Sequence, residues 1–351
     1  MIEIHEADGA FEQIEAYLAQ AGFPAAGPSL CADVYLGYGL SRTIRRSSAP
    51  DPPEPCPLPL AACSVRRVTA ACPTPGAFVA GRFEPSWDER AYAAAIDAVH
   101  GAIARGDVYQ VNLVQHLSAP FRGDVHGLAA TLAPLAPLHP RPLVGDGWAI
   151  VSASPELFLA RRGDRVWTMP IKGTRPVTAA DELRSSPKDA AEHVMIVDLE
   201  RNDLSRLCLA GSVRWPELMA ERAMAGVVHL VSTVEGLLRP GTGLAGILAA
   251  TFPGGSVTGA PKISAVDHIA ALEPVGRGAS MGALGTVYAN GDFDLALTIR
   301  TFAIAGDRIH LWVGGGIVWD SDPHEEIEES WVKARPLLAA IGASVREPVS
   351  V

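Results

Sequence analysis

No stripe of basic residues runs through this chain, no Cys-x-x-Cys occurs in it, and no apolar run reaches the roughly 18 residues that a membrane helix needs. Each absence removes a class of function. With a formal net charge of -10, neither nucleic acid nor an anionic membrane is expected as the main partner. The five cysteines (Cys31, Cys56, Cys63, Cys72, Cys208) are odd in number and irregular in spacing, which suits reduced thiols better than disulfides or zinc. Met1 to Glu6 lacks the basic start and apolar run of a signal peptide, so a cytoplasmic location is expected. No internal repeat is visible. What remains is an ordinary soluble composition of 351 residues, 48% of them hydrophobic, enough for one large domain or two intimate ones. An anionic substrate would need local help from a metal ion, helix N-termini or a few placed Arg and Lys.

Acidic residues inside amphipathic helices are the strongest signal. Asp189 and Glu192 are three apart in a segment that reads as a helix from near Pro187, so both would share a face. Glu326 and Glu329 repeat the spacing in a second acidic helix near the C-terminus. Solvated helix faces are the plain alternative for either one alone. Two matched pairs facing each other would make an all-oxygen site for a hard cation, most simply Mg2+.

The chain divides at a proline-dense region. Ser47 to Pro55 and Cys72 to Gly76 exclude helix and central strand, giving a short N-terminal region over residues 1–85 and a main body over 86–345. Helices are expected at about Ala10 to Ala21, Asp88 to Arg105, Val125 to Ala133 and Asp189 to Leu207. Strands are expected at Val34 to Leu40, Val108 to Leu117, Trp148 to Val151, Leu157 to Arg161, Arg165 to Met169, Val227 to Glu235, Gly282 to Tyr288, Phe293 to Ile304 and Arg308 to Val313. The mixed order and the hairpin at Gly306-Asp307 predict an α+β layered body rather than a Rossmann or barrel fold.

Two glycine-rich segments lie near these elements. Phe252 to Lys262 superficially resembles a phosphate-binding P-loop, but Gly259 is followed by Ala260-Pro261-Lys262 and not by Gly-Lys-Ser/Thr. Pro261 reads as the start of a helix to about Leu272, which would leave backbone N–H groups from Thr258 and Gly259 to Ala260 for an anion; a plain tight turn is the alternative. Gly314-Gly315-Gly316 ends an expected strand and would let a ligand approach bare backbone. Arg300, expected on a strand, could clamp a carboxylate or serve a buried ion pair.

Taken in order, Gly106 to Leu113, Ser154-Pro155-Glu156, Pro170 to Pro176, Glu192 to Asp203, His229 to Val234, Gly254 to Lys262, Ile299-Arg300-Thr301 and Gly314 to Asp322 resemble the chorismate-utilising enzymes, a family with anthranilate, aminodeoxychorismate, isochorismate and salicylate synthases among its members. The resemblance covers about residues 86 to 340. It implies a chorismate-binding fold of two interleaved α/β halves, a β-sandwich core with helices outside, and chorismate and Mg2+ held between them. It further implies Glu192 and Glu329 as direct metal ligands, with Asp189 and Glu326 supporting through water. Arg300 and the backbone of Gly315 and Gly316 would hold the enolpyruvyl carboxylate, and Lys333 would neutralise the ring end. Ser280 stands where the family pattern has a tyrosine.

Among the members, position 172 discriminates. Lys172 resembles the aminodeoxychorismate synthases, where lysine can attack ring carbon 2 before ammonia enters at carbon 4; a salt-bridged lysine flanking the site is the plainer role. Glu156 resembles the acid that protonates the departing hydroxyl. Gln110 stands where water-adding members carry a lysine, and an amide cannot act as that base. His229 matches a family histidine near the ring, linked in anthranilate synthases to pyruvate loss, and is equally readable as a core histidine. The expectation is therefore a Mg-dependent aminodeoxychorismate synthase component, serving p-aminobenzoate and folate synthesis, with ammonia from a separate glutamine amidotransferase subunit. Anthranilate synthesis is the enzymatic alternative, and a non-catalytic chorismate-binding regulatory subunit is the alternative of another class.

Overall fold

Runs of valine, leucine and alanine pair into two sheets in the computed structural model, which describes residues 1–176, 181, 183, 187–224 and 227–345. The larger sheet runs in the order Ile2–Ile4, Ala61–Arg67, Leu30–Leu36, Ala283–Tyr288, Phe293–Leu297, Leu157–Arg162, Arg165–Met169, Val227–Leu237 and Ile171–Pro176, with Arg214–Met224 also on Val227–Leu237. The smaller runs Gly259–Ala260, Gln110–Gly123, Arg308–Ile317, Thr301–Ala305, Trp148–Ser152 and Leu143–Val144, with two short strands on Gln110–Gly123. Every named pair is antiparallel, and helices join the strands, so the fold is α+β.

One hydrophobic core serves both sheets: Val34 and Leu284 from the larger belong to the same buried cluster as Leu113 and Ile304 from the smaller. Tyr35 and Trp148 meet across the sheets at 6.1 Å between ring centroids, and the Trp148 indole donates to Glu3 at 3.0 Å. The helix ends follow local chemistry. Asp88 caps Glu89–Ala104 by accepting from the Ala91 N–H at 2.7 Å. Asp322 caps Pro323–Ala340, accepting from His324 and Glu325, with Pro323 in the first turn where no N–H is missed.

Two expectations are corrected. Phe293 to Ile304 is not one strand: Phe293–Leu297 belongs to the larger sheet and Thr301–Ala305 to the smaller. The chain changes sheet at Thr298 to Arg300, where Arg300 takes φ 50°, a left-handed conformation that costs a non-glycine residue about 1–2 kcal/mol. Val34 to Leu40 is likewise shifted, the strand being Leu30–Leu36 and the following Tyr38–Ile44 a 3-10 helix. The first 85 residues are woven into the body, since Leu30–Leu36 pairs on one side with Ala61–Arg67 and on the other with Ala283–Tyr288.

A buried ion pair ties together the segments that carry the site. Arg277 donates to Glu273 at 2.7 and 2.8 Å, to the Val257 carbonyl at 2.9 Å and to the Asn112 carbonyl at 2.7 Å, while Glu273 accepts the Val114 N–H at 3.0 Å. The glycine-rich turn and the strand Gln110–Gly123 are thereby held to one point. Glu273→Leu strands a guanidinium that is 1% exposed and is expected to cost about 3–5 kcal/mol, read as a lowered urea midpoint; an unchanged midpoint would deny the network this role.

Candidate active site

The bare backbone of Gly314 to Gly316 organises the site. These residues end the strand Arg308–Ile317, which pairs with Gln110–Gly123 so that Gly316 lies opposite Asn112. A Cβ on Gly316 would fall 1.8 Å from Gln110 Nε2 and 3.0 Å from Glu192 Oε1. One on Gly315 would lie 3.2 Å from Glu326 Oε2, 3.5 Å from Glu329 Oε1 and 3.5 Å from Lys333 Nζ. Carboxylates from the helices Pro187–Ser205 and Pro323–Ala340, more than a hundred residues apart in sequence, therefore converge on two adjacent glycines. A side chain at Gly316 would collide with Gln110, and one at Gly315 would crowd Glu326.

Three of the four acids have a defined partner. Glu192 Oε1 accepts from Lys172 Nζ at 2.9 Å and from Gln110 Nε2 at 2.9 Å. Burial pushes this carboxyl up, but the Lys172 ammonium and these hydrogen bonds outweigh it, and the net position is below the usual carboxylate range. Glu326 is buried and accepts from the Ser321 hydroxyl at 2.6 Å. Glu329 pairs with Lys333 at 2.7 Å, and Lys333 also donates to the Gly314 carbonyl at 2.8 Å. The Asp189 side chain lies outside the described residues. Among the described residues, no three His, Cys, Asp or Glu side chains close into a metal cage. The donors nonetheless suit a hard cation, being all oxygen. Two buried amide oxygens on the facing strand, Gln110 Oε1 and Asn112 Oδ1, also have no hydrogen-bond partner among the described residues, and residues 110 and 112 share a face of that strand.

Lys172 and Glu156 meet at one residue. Lys172 Nζ donates to the Ser256 carbonyl at 3.3 Å, and the Ser256 hydroxyl donates to Glu156 Oε1 at 2.8 Å. The same carboxylate oxygen accepts the Ile171 N–H at 3.3 Å. Burial raises the Glu156 carboxyl above its ordinary value despite the opposing charge of Lys172, these donors and the charge of Arg300. Burial alone would lower the Lys172 ammonium, yet Glu192 holds it above its ordinary value. His229 is buried, and both its burial and the charge of Arg300 lower its proton affinity, only partly offset by a backbone hydrogen bond to Gly173. Arg300 is lowered by burial with Glu156 opposing, so Glu156, His229 and Arg300 share one electrostatic neighbourhood.

The glycine-rich turn differs from expectation. Thr258 is fully buried, its N–H bonded to the Gly255 carbonyl at 3.3 Å and its hydroxyl to the Gly254 carbonyl at 2.9 Å, while Gly259–Ala260 pairs with Val111 and Gln110. The turn spends its backbone on structure, so the Thr258 N–H is not free for an anion. Lys262 likewise binds Asp203 at 2.5 Å and the Thr251 carbonyl at 2.8 Å, a structural tie. Ser280 is buried with a hydroxyl that has no hydrogen-bond partner among the described residues. Sequence reasoning missed Ser256, although it lies within the glycine-rich motif, and missed Glu200, whose burial no helical periodicity revealed.

Comparison with known proteins points to one family. The family model described as chorismate binding enzyme matches residues 8–339. Anthranilate synthase component 1 of Thermus thermophilus is 42% identical over 291 residues, covering 79% of this chain and 62% of that protein. Aminodeoxychorismate synthase component 1 of Bacillus subtilis is 37% identical over 277 residues, covering 76% of this chain and 59% of that protein. The chain thus spans about 60% of the length of these relatives. The crystal structure of anthranilate synthase component I from Streptococcus pneumoniae superposes with a TM-score of 0.74 at 27% identity, covering 87% of this chain and 80% of the other.

Proposed function

Since the chain belongs to the chorismate-binding enzyme family, we propose that it is an aminodeoxychorismate synthase component, adding ammonia to chorismate to give 4-amino-4-deoxychorismate. The observation that carries this reading is the pairing of amine and acid about Ser256: Lys172 on its carbonyl, Glu156 on its hydroxyl. A nucleophile and a proton donor held by opposite ends of one residue suit a displacement in which a bond forms at one ring carbon as a hydroxyl leaves another. The Lys172 nitrogen forms a bond to ring carbon 2, both conjugated ring double bonds shift toward carbon 4, and the 4-hydroxyl departs with the Glu156 proton as water. Ammonia then attacks carbon 4, both double bonds shift back, the lysine is expelled as the neutral amine, and the proton shed by the new ammonium returns to Glu156. Lys172 can attack only as the neutral amine; its burial favours that form and the Glu192 carboxylate opposes it.

Glu192 and Glu329 would hold Mg2+, with Glu326 and Asp189 in support. When bound, the ion supplies positive charge to fix the ring carboxylate of the substrate. Arg300, at the crossing between the sheets, would receive the enolpyruvyl carboxylate beside the bare backbone of Gly314 to Gly316. Ammonia would come from a separate glutaminase subunit, a role consistent with the component 1 names of the relatives.

Anthranilate formation is the second reading, favoured by the anthranilate synthase names among the relatives and by His229 beside Arg300. Incubation of the chain with chorismate, ammonium and Mg2+, followed by chromatography, decides between them. Aminodeoxychorismate is the expected product; anthranilate alone, fluorescent without any added lyase, would reject the leading assignment.

A further inference from the structure

Among the described residues, three carboxyls in or behind the site, those of Glu192, Glu156 and Asp203, are balanced by positive charge. Glu192 has Lys172 at 2.9 Å and Asp203 has Lys262 at 2.5 Å, while Glu156 sits in the fields of Lys172 and Arg300. Glu200 differs. It is 7% exposed, and among the described residues its one hydrogen bond is from the Thr168 hydroxyl to Oε2 at 3.0 Å and it makes no ion pair. It lines a cleft of about 230 Å³, measured with its opening, together with Phe158, Thr168, Asp203, Thr251 and Gly255.

The position of Glu200 relates it to the acid of the proposed reaction. Its Cγ lies 3.5 Å from where a Cβ on Gly255 would stand, and the next residue, Ser256, is the one whose hydroxyl binds Glu156 at 2.8 Å. A buried carboxylate with a single neutral donor and no ion pair among the described residues tends to take up a proton instead of remaining charged. Burial raises Glu200 to about 8, the nearby charges of Glu156 and Asp203 adding to it, with the Thr168 hydroxyl and Lys262 opposing. The charged groups facing it are Glu156 from the start of the strand Leu157–Arg162, Asp203 on its own helix, Lys262 from the helix Lys262–Leu272 and Lys172 from the strand Ile171–Pro176.

We propose that Glu200 is a positioning residue for Glu156: the two carboxyls, flanking the Gly255-Ser256 turn, hold one proton between them at neutral pH and so keep Glu156 able to act as an acid. This inference rests on the reading of Glu156 as the proton donor. Interacting acids titrate as a pair, and the upper step of the pair belongs to neither residue alone. Removing one acid leaves the other to titrate by itself at lower pH, because no neighbouring carboxylate then resists its ionisation.

Glu200→Gln keeps an acceptor for Thr168 and removes the second acid. The basic limb of its kcat against pH profile is expected to move to lower pH by at least about half a unit, with the plateau rate below the limb retained; a half-unit corresponds to roughly 0.7 kcal/mol. Infrared difference spectra, wild type minus Glu200→Gln at neutral pH, are expected to show a protonated-carboxyl C=O band. Superimposable pH profiles would overturn the proposal, as would the absence of that band, because a merely structural acceptor would move neither. A wild-type chain that leaves chorismate untouched would reject the assignment of Glu156, and the infrared difference would still decide whether Glu200 keeps its proton.

Discussion

Lys172→Ala is expected to lower aminodeoxychorismate formation by at least about 100-fold, the scale on which a positioned covalent or proton-transferring group contributes. The loss should fall on kcat, because the chorismate carboxylates are assigned to Arg300, to the glycine backbone and to the cation, none of which the substitution removes. The variant also leaves Glu192, which is largely buried, without its ammonium, and breaking such a pair destabilises a fold. Thermal midpoints recorded with Mg2+ present therefore belong beside the kinetics, to separate unfolding from lost chemistry. An anthranilate-forming enzyme would not use this amine covalently, so a Lys172→Ala variant with nearly full turnover would point to that alternative.

Glu192→Gln is expected to raise the Mg2+ concentration for half-maximal rate about 10- to 100-fold, since a hydrogen bond or ligand contact made by a charged group is worth roughly 1.5–3 kcal/mol. The amide keeps the shape of the side chain and can still accept from Gln110, but Lys172 loses its counter-charge, so thermal midpoints belong beside this titration as well. Titration of rate against Mg2+, with calorimetry of Mg2+ binding in the presence of chorismate, measures the shift. An unaltered Mg2+ requirement would remove Glu192 from the ligand set.

Much of this architecture was legible because its signals are local. Three-residue spacing placed Glu326 and Glu329 on one helix face, and Asp88 and Asp322 stand at the caps that their side chains make. Where the sequence misled, the deciding force was long-range. Leu297 to Thr301 alternates like an unbroken strand, yet competition between two sheets breaks it and leaves Arg300 at positive φ. Thr258 to Ala260 looked like a free anion nest because nothing local shows that Gln110–Gly123 will claim its backbone. Glu200 reads as one more charged helix residue, and only the packing of Thr168 and the glycine turn over it shows a buried carboxyl that makes no ion pair among the described residues. Lys172 was conspicuous by its motif, whereas the partner that governs its charge, Glu192, lies 20 residues away.

The account turns on whether acids from two remote helices share one divalent ion beside Lys172. Anomalous scattering from crystals grown with Mn2+ and chorismate locates that ion directly. The account predicts a peak bounded by the carboxylates of Glu192 and Glu329, over the Gly315-Gly316 backbone. A peak elsewhere, or none there while Lys172 remains bonded to Glu192 with chorismate in place, would contradict it.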